Sequence, residues 1–157
     1  MHGRSEASLC VNPDFRDILS ALSDEEVEFL LVGAYALAVH GLPRATGDID
    51  LWTRPDPGNA RRVLLALARF GAPLEQIRQS DLCRPNLVFQ IGVTPNRIDL
   101  LTSIDGVDFD EAWAARTEME LDGVRVPVIS RRDLIRNKRA SGRPQDLADV
   151  ARLEGGT

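Results

Sequence analysis

The chain predicts an α/β fold, a small mixed β-sheet flanked by helices. Three observations carry that expectation. Short apolar runs of strand length occur at residues 27–32, 48–53, 87–92 and 97–101. Helical stripes with their own start and stop residues lie between and after them. Glycine, proline, asparagine or aspartate stands at most junctions. At 157 residues the length is that of a single domain, 1–157, with its core at about 12–153.

Asn12 and Pro13 form an N-cap and first-turn proline, opening a helix to about residue 22 with Phe15, Ile18, Leu19 and Leu22 on one stripe. Residues 23–26 turn the chain. The apolar run 27–32 is a buried strand, Gly33 breaks it, and residues 34–39 form a short alanine- and leucine-rich helix that ends by Gly41. A loop follows, and 48–53 is the second strand. Asp56 and Pro57 open a helix whose stripe is Val63, Leu64, Leu67 and Phe70, with Gly71 as its stop. A helical turn is expected around 74–77. Residues 87–92 and 97–101 make a hairpin, 109–116 a helix, and 119–129 a second hairpin turning at Asp122 and Gly123. Ser130 and Asp133 have the form of a capping box for a helix to about 141, which Gly142 ends. Residues 144–153 are the last helix.

Composition narrows the function. Hydrophobic residues at 43% and charged residues at 27% are ordinary for a globular chain. A formal charge of −5 speaks against a generic nucleic-acid coat, although a local basic groove is compatible with it. The longest apolar run, 29–39, contains a glycine and falls well short of a bilayer span, so no membrane partner is expected. Residues 1–12 lack the apolar centre of a secretory signal, and the expected location is cytoplasmic. Cys10 and Cys83 offer neither a disulfide framework nor zinc spacing, and His2 and His40 are too few for a histidine-rich metal site.

Residues 30–52 carry the densest chemistry. On a strand, Asp48 and Asp50 point to one face while Ile49 and Leu51 point to the other. Paired carboxylates repel unless positive charge sits between them, and a divalent cation is the common solution. Asp99 stands in Arg97-Ile-Asp-Leu-Leu101 with the same apolar flanks. If the two strands are neighbours, three carboxylates converge at one end of the sheet, with helices on its other face. Such a cluster can hold two cations about 3.5–4 Å apart. Any one of these aspartates alone reads as a solvated residue on an open face; the combination points to metal-assisted phosphoryl chemistry. Haloacid-dehalogenase phosphatases also carry Asp-x-Asp, but with threonine or valine two residues on, where this chain has Trp52. Gly33, between a strand and a helix, offers free backbone N–H groups to phosphate oxygens.

Together these features resemble the signature of the nucleotidyltransferase fold of the DNA polymerase β superfamily: a glycine turn, a short helix, an Asp-x-Asp strand and a later acidic strand. The run Gly41-Leu-Pro-Arg-Ala-Thr-Gly-Asp-Ile-Asp-Leu51 resembles the small bacterial nucleotidyltransferases grouped with the AbiEii toxins. Leu134, Ile135, Lys138, Gly142, Arg143, Asp146 and Asp149 match their closing pattern, so the likeness spans residues 27–153. It implies transfer of a nucleoside monophosphate from a nucleoside triphosphate to an acceptor hydroxyl. It further implies two Mg²⁺ or Mn²⁺ ions on Asp48, Asp50 and Asp99, with Asp99 also helping to deprotonate the acceptor. Gly33, Ala34, Tyr35, Lys138 and Arg143 are the expected nucleotide contacts. Arg44 and Thr46 contact phosphate or hold their loop; the sequence does not separate these. Ala34 departs from the Gly or Ser usual in the superfamily, keeping the backbone donor and losing a hydroxyl. The acceptor is a tRNA end, a protein or a small molecule such as an antibiotic, and a cognate antitoxin is a further partner if the chain serves in a toxin–antitoxin or phage-defence system. Two other functions fit the same residues: a non-catalytic binding protein of this fold, and a metal-dependent phosphohydrolase.

Residues 131–143 are the most basic window. Arg132, Arg136, Arg139 and Arg143 form a stripe that is either a solvated face or an acceptor surface. Lys138 falls on the inward side with Leu134 and Ile135. Asp146 and Asp149 are expected to orient these bases. His40 reads as a packed or capping residue, and Trp52 and Trp113 as core residues or base-stacking platforms.

Overall fold

The computed structural model describes residues 8–9, 11–42 and 47–155. Arg44 and Thr46 lie outside them. The elements in chain order are β1 (Ser8–Leu9), α1 (Pro13–Asp24), β2 (Phe29–Val32), α2 (Gly33–Val39), β3 (Ile49–Thr53), α3 (Pro57–Phe70), β4 (Val88–Ile91), β5 (Ile98–Leu101), α4 (Phe109–Ala114), β6 (Thr117–Leu121), β7 (Val124–Val128), α5 (Arg131–Ser141) and α6 (Pro144–Leu153). The strands form one mixed seven-stranded sheet in the order β1-β6-β7-β2-β3-β5-β4. β2 runs antiparallel to β3 and parallel to β7, while β3 runs parallel to β5.

Local chemistry sets most boundaries. The Asn12 side chain accepts from the Phe15 N–H at 2.8 Å, Asp56 from Asn59 at 2.7 Å, and Ser130 from Asp133 at 3.1 Å, opening α1, α3 and α5. Asp122 and Gly123 both have positive φ, the condition for the two-residue turn that joins β6 to β7 with Leu121 opposite Val124. Two elements differ from expectation. Residues 74–77 form no helix, and the helical turn comes later, a single 3-10 turn at Asp81–Cys83. β1 is a two-residue strand parallel to β6, too short to show any period.

The core lies between helices and the central strands. Phe15, Ile18, Leu19 and Leu22 of α1 are fully buried, as is all of β2. Helices α1 and α3 pack on each other, α1 also touches β7, and α3 also touches β3. Both faces of β3 are covered, because Ile49, Leu51 and Trp52 are all buried. Trp52 shares the face of Asp50, where the Phe109 ring of α4 meets it edge-on at 4.9 Å and Trp113 stacks behind Phe109 at 5.8 Å. The aspartate face is therefore not open along its length; aromatic packing closes it below Asp50. Among the described residues no helix is long and apolar enough to cross a membrane.

Asn59 locks the far ends of β2 and β3 to α3. Fully buried, it accepts from the Glu28 N–H at 2.8 Å and donates to the Glu28 and Arg54 carbonyls, each at 3.0 Å. Replacing it strands backbone groups that have no water nearby. Asn59→Ala is expected to lower unfolding free energy by on the order of 3 kcal/mol. Urea denaturation measures this, and a loss below about 1 kcal/mol would contradict the bridging role.

Candidate active site

Parallel pairing of β3 with β5 sets Ile49 against Ile98, Asp50 against Asp99 and Leu51 against Leu100. Registered residues of parallel neighbours share a face, so Asp50 and Asp99 project side by side while the flanking apolar residues enter the core. Asp48 precedes β3 by one residue. Its carboxylate accepts the Arg97 backbone N–H at 2.9 Å and the Thr94 hydroxyl at 3.0 Å. The three aspartates thus meet at one end of the sheet.

Arg97 lies among them and was not among the expected site residues. Its Nε donates to Asp99 Oδ1 at 2.7 Å and its Nη2 to Asp99 Oδ2 at 3.1 Å, a bidentate pair. The same Nη2 is 3.6 Å from Asp48 Oδ2. The signal was present in the sequence, since Arg97 stands two residues before Asp99 and so on its face.

The surroundings leave Asp50 short of positive charge. Burial, then the charge of Asp99 and a hydrogen bond with it, then the charge of Asp48, push the Asp50 carboxyl up from 3.8 to about 6, against the opposing pull of Arg97. Hard oxygen donors crowded together with unbalanced charge suit Mg²⁺ or Mn²⁺. Among the described residues no three His, Cys, Asp or Glu side chains are already gathered as a metal cage. Between Asp48 and Asp99 the Arg97 guanidinium holds the oxygens a cation would take.

Gly33 adjoins the carboxylates. Its φ is +71°, and a Cβ there would collide with Asp50 Oδ2, so both backbone conformation and space require glycine. Ala34 and Tyr35 follow at the start of α2, half-buried. The Tyr35 ring meets Phe15 edge-on at 5.8 Å, and burial pushes its hydroxyl pKa up.

Lys138 and Arg143 belong to a second cluster. Lys138 is buried, as its spacing suggested, and its ammonium donates to Asp146 Oδ1 at 3.2 Å and lies 3.1 Å from Asp149 Oδ2. Arg143 Nε donates to Asp146 Oδ2 at 2.7 Å. Burial alone would raise the Asp146 pKa; the hydrogen bonds from Arg143 and Lys138 outweigh it and hold the carboxyl below its usual range. Lys138, Arg143, Pro144, Gln145 and Asp146 line a pocket of about 400 Å³. Of the rest of the basic stripe, Arg132 is exposed, and Arg136 and Arg139 are engaged internally. Arg136 pairs with Glu111 at 3.3 Å and with Asp133 at 3.4 Å, and Arg139 pairs with Glu154. His40 Nε2 hydrogen-bonds the Ile129 carbonyl oxygen at 2.8 Å, a packed residue rather than a base.

A carboxyl whose pKa is higher in the fold than in the unfolded chain binds its proton more tightly when folded. The stability that Asp50 lends is therefore full below its ordinary value of 3.8 and is lost as pH rises through about 6. In cation-free buffer, the wild type should lose on the order of 2 kcal/mol relative to Asp50→Asn between about pH 4 and pH 7. Urea denaturation across that range decides it, and a pH-independent difference would refute the assigned charge strain.

The chain's sequence matches, over residues 14–154, a family model described as a nucleotidyltransferase of unknown function (DUF6036). No curated protein matches it by sequence. Among solved structures, the fold is similar to a Thermotoga maritima protein assigned as a nucleotidyltransferase, with a TM-score of 0.58 and 17% identity over 89% of this chain and 86% of that one. It is similar to the lincosamide antibiotic adenylyltransferase LnuA in its lincomycin-bound form, with a TM-score of 0.56 and 15% identity over 95% and 99% of the two chains. A third likeness, with a TM-score of 0.56 and 16% identity over 88% and 84%, is to ANT(2")-Ia in complex with adenylyl-2"-tobramycin. At these identities the likeness establishes the nucleotidyltransferase fold. With the family model spanning nearly all of α1 to α6, the chain belongs to the nucleotidyltransferases of unknown function, DUF6036.

Proposed function

We propose that this protein transfers a nucleoside monophosphate from a nucleoside triphosphate to the hydroxyl of a small molecule, releasing pyrophosphate. The observation that carries the reading is the register of β3 on β5, which sets Asp50 opposite Asp99 beside Asp48 and against Gly33. Asp48, Asp50 and Asp99 would hold two Mg²⁺ or Mn²⁺ ions. Such ions, when bound, neutralise charge on the transferring phosphoryl group and its leaving oxygens. Asp99 takes the proton of the acceptor hydroxyl. Gly33, Ala34 and Tyr35 line the approach of the triphosphate, for which Arg44 and Thr46 remain the proposed loop contacts. An ammonium has three N–H donors, and Asp146 and Asp149 engage two of those on Lys138, leaving one for a phosphate oxygen. Arg143 adds a guanidinium at the same pocket.

A small acceptor is favoured over RNA by the state of the basic stripe. Arg136 and Arg139 are committed to ion pairs with α4, with α5 itself and with Glu154, so α5 offers no continuous cationic surface to a phosphate backbone. LnuA and ANT(2")-Ia, which share the fold, are described with lincomycin and an adenylylated tobramycin.

The test is incubation with each α-labelled nucleoside triphosphate, Mg²⁺ and a panel of hydroxylated small molecules, following label transfer and pyrophosphate. Label should reach an acceptor, and Asp48→Asn or Asp99→Asn should lower turnover at least about 100-fold. Labelled nucleotide appearing without an acceptor would instead indicate a phosphohydrolase. Cation-dependent nucleotide binding with no pyrophosphate would indicate a non-catalytic member. Lys138→Ala is expected to weaken triphosphate binding by about 1.5–3 kcal/mol. It should also cost on the order of 3 kcal/mol of stability, because Asp146 and Asp149 lose their shared cation. Calorimetric titration and urea denaturation check the two parts, and unaltered nucleotide affinity would remove Lys138 from the site.

A further inference from the structure

We infer that Arg97 is the resident counter-cation of the carboxylate site, holding Asp48 and Asp99 in the cation-free protein and giving up their oxygens when divalent cations enter. This rests on the proposal that those aspartates bind metal. It goes further, by making cation affinity depend on a residue that is not a ligand.

The competition follows from atom-by-atom occupancy. Both oxygens of Asp99 accept from the Arg97 fork, at 2.7 and 3.1 Å. Asp48 is reached twice by the same residue, through its backbone N–H at 2.9 Å and through Nη2 at 3.6 Å. A cation shared by Asp48 and Asp99 needs the space between their oxygens, which the guanidinium already fills. The guanidinium charge also repels an incoming cation, and one protein-borne positive charge between these carboxylates lowers the attraction they offer it. The backbone contact to Asp48 is unaffected by side-chain movement, so Asp48 keeps its position when the fork leaves. Arg97 can leave, because 29% of its side chain is exposed whereas only 10% of the Asp99 side chain is.

The exchange has a functional consequence. A displaced guanidinium is a bidentate anion ligand, and the anion arriving with the cation is a triphosphate. Cation alone must expel Arg97 into solvent, while cation and triphosphate together give it a new partner. Metal and nucleotide therefore load cooperatively, and the site resists idle occupation by metal.

Mn²⁺ titration of the demetallated protein, without nucleotide and with free Mn²⁺ read by electron paramagnetic resonance, tests this. Arg97→Gln, polar but shorter and uncharged, should bind Mn²⁺ about tenfold more tightly than wild type, with Arg97→Lys in between. A measurable affinity in Arg97→Gln where wild type shows none would support the inference equally. Added triphosphate should narrow the gap. Asp99→Asn should lose binding in every background. If Asp99→Asn abolishes Mn²⁺ binding while Arg97→Gln, folded by circular dichroism, binds no better than wild type, the counter-cation role falls and the metal site stands. If wild type, Arg97→Gln and Arg97→Lys all fail to bind Mn²⁺, both fall. Should Arg97→Gln not fold, Arg97→Lys carries the comparison, and equal affinity in it and wild type overturns the inference.

Discussion

Pairing β3 in parallel with β5 places two carboxylates opposite each other on one face, and the rest of the site answers that repulsion. The pairing is stabilised from the other face, where Ile49, Leu51, Ile98 and Leu100 enter the core. Hydrophobic burial there fixes the register, because a slip of one residue would turn the aspartates inward and the isoleucines outward. The electrostatic cost is met only in part. Arg97 holds Asp99 and Asp48, Thr94 adds a hydroxyl to Asp48, and Asp50 keeps a raised pKa. Structure and chemistry are thus divided between the two faces of the same short strands.

A second group of charges is organised on a different principle. Lys138, Arg143, Asp146 and Asp149 balance one another at the junction of α5 and α6, and Arg136 and Arg139 tie α5 to Glu111 and Glu154 while Arg132 stays exposed. The sheet end carries uncompensated negative charge, whereas the helical junction is close to neutral. An anionic nucleotide alone is ill matched to the former, which is why cations enter the functional reading at all.

What the sequence made legible follows from range. Caps at Asn12, Asp56 and Ser130, the turn at Asp122 and Gly123, and the alternation around Asp48, Asp50 and Asp99 depend on residues within a few positions of one another. Even the adjacency of the two aspartate strands was inferable, since each repeats the same apolar flanks. The roles of Asn59 and Arg97 were harder to read. Asn59 is significant because Glu28 comes from a distant segment, and Arg97, although its pairing with Asp99 is local, reaches Asp48 only through the pairing of β3 with β5. The helical spacing of Lys138 with Leu134 and Ile135 marks it as inward-facing, and Asp146 and Asp149 stand close enough in sequence to meet it. The two-residue β1 and the 3-10 turn at Asp81–Cys83 are shorter than any period that could announce them.

Gly33 has a consequence for how this chain tolerates change. A glycine obstructed only by the far end of a flexible side chain can accept a larger residue if that chain moves aside, at some cost in strain. Here the obstruction is the Asp50 carboxylate, and the backbone is in the left-handed region as well. Shortening Asp50 would create room but leave the torsional penalty of about 1–2 kcal/mol and remove a carboxylate from the site. No single compensating substitution at position 50 can therefore restore both shape and chemistry. Position 33 and position 50 behave as one unit under mutation, and loss at either is not recovered by repacking around it.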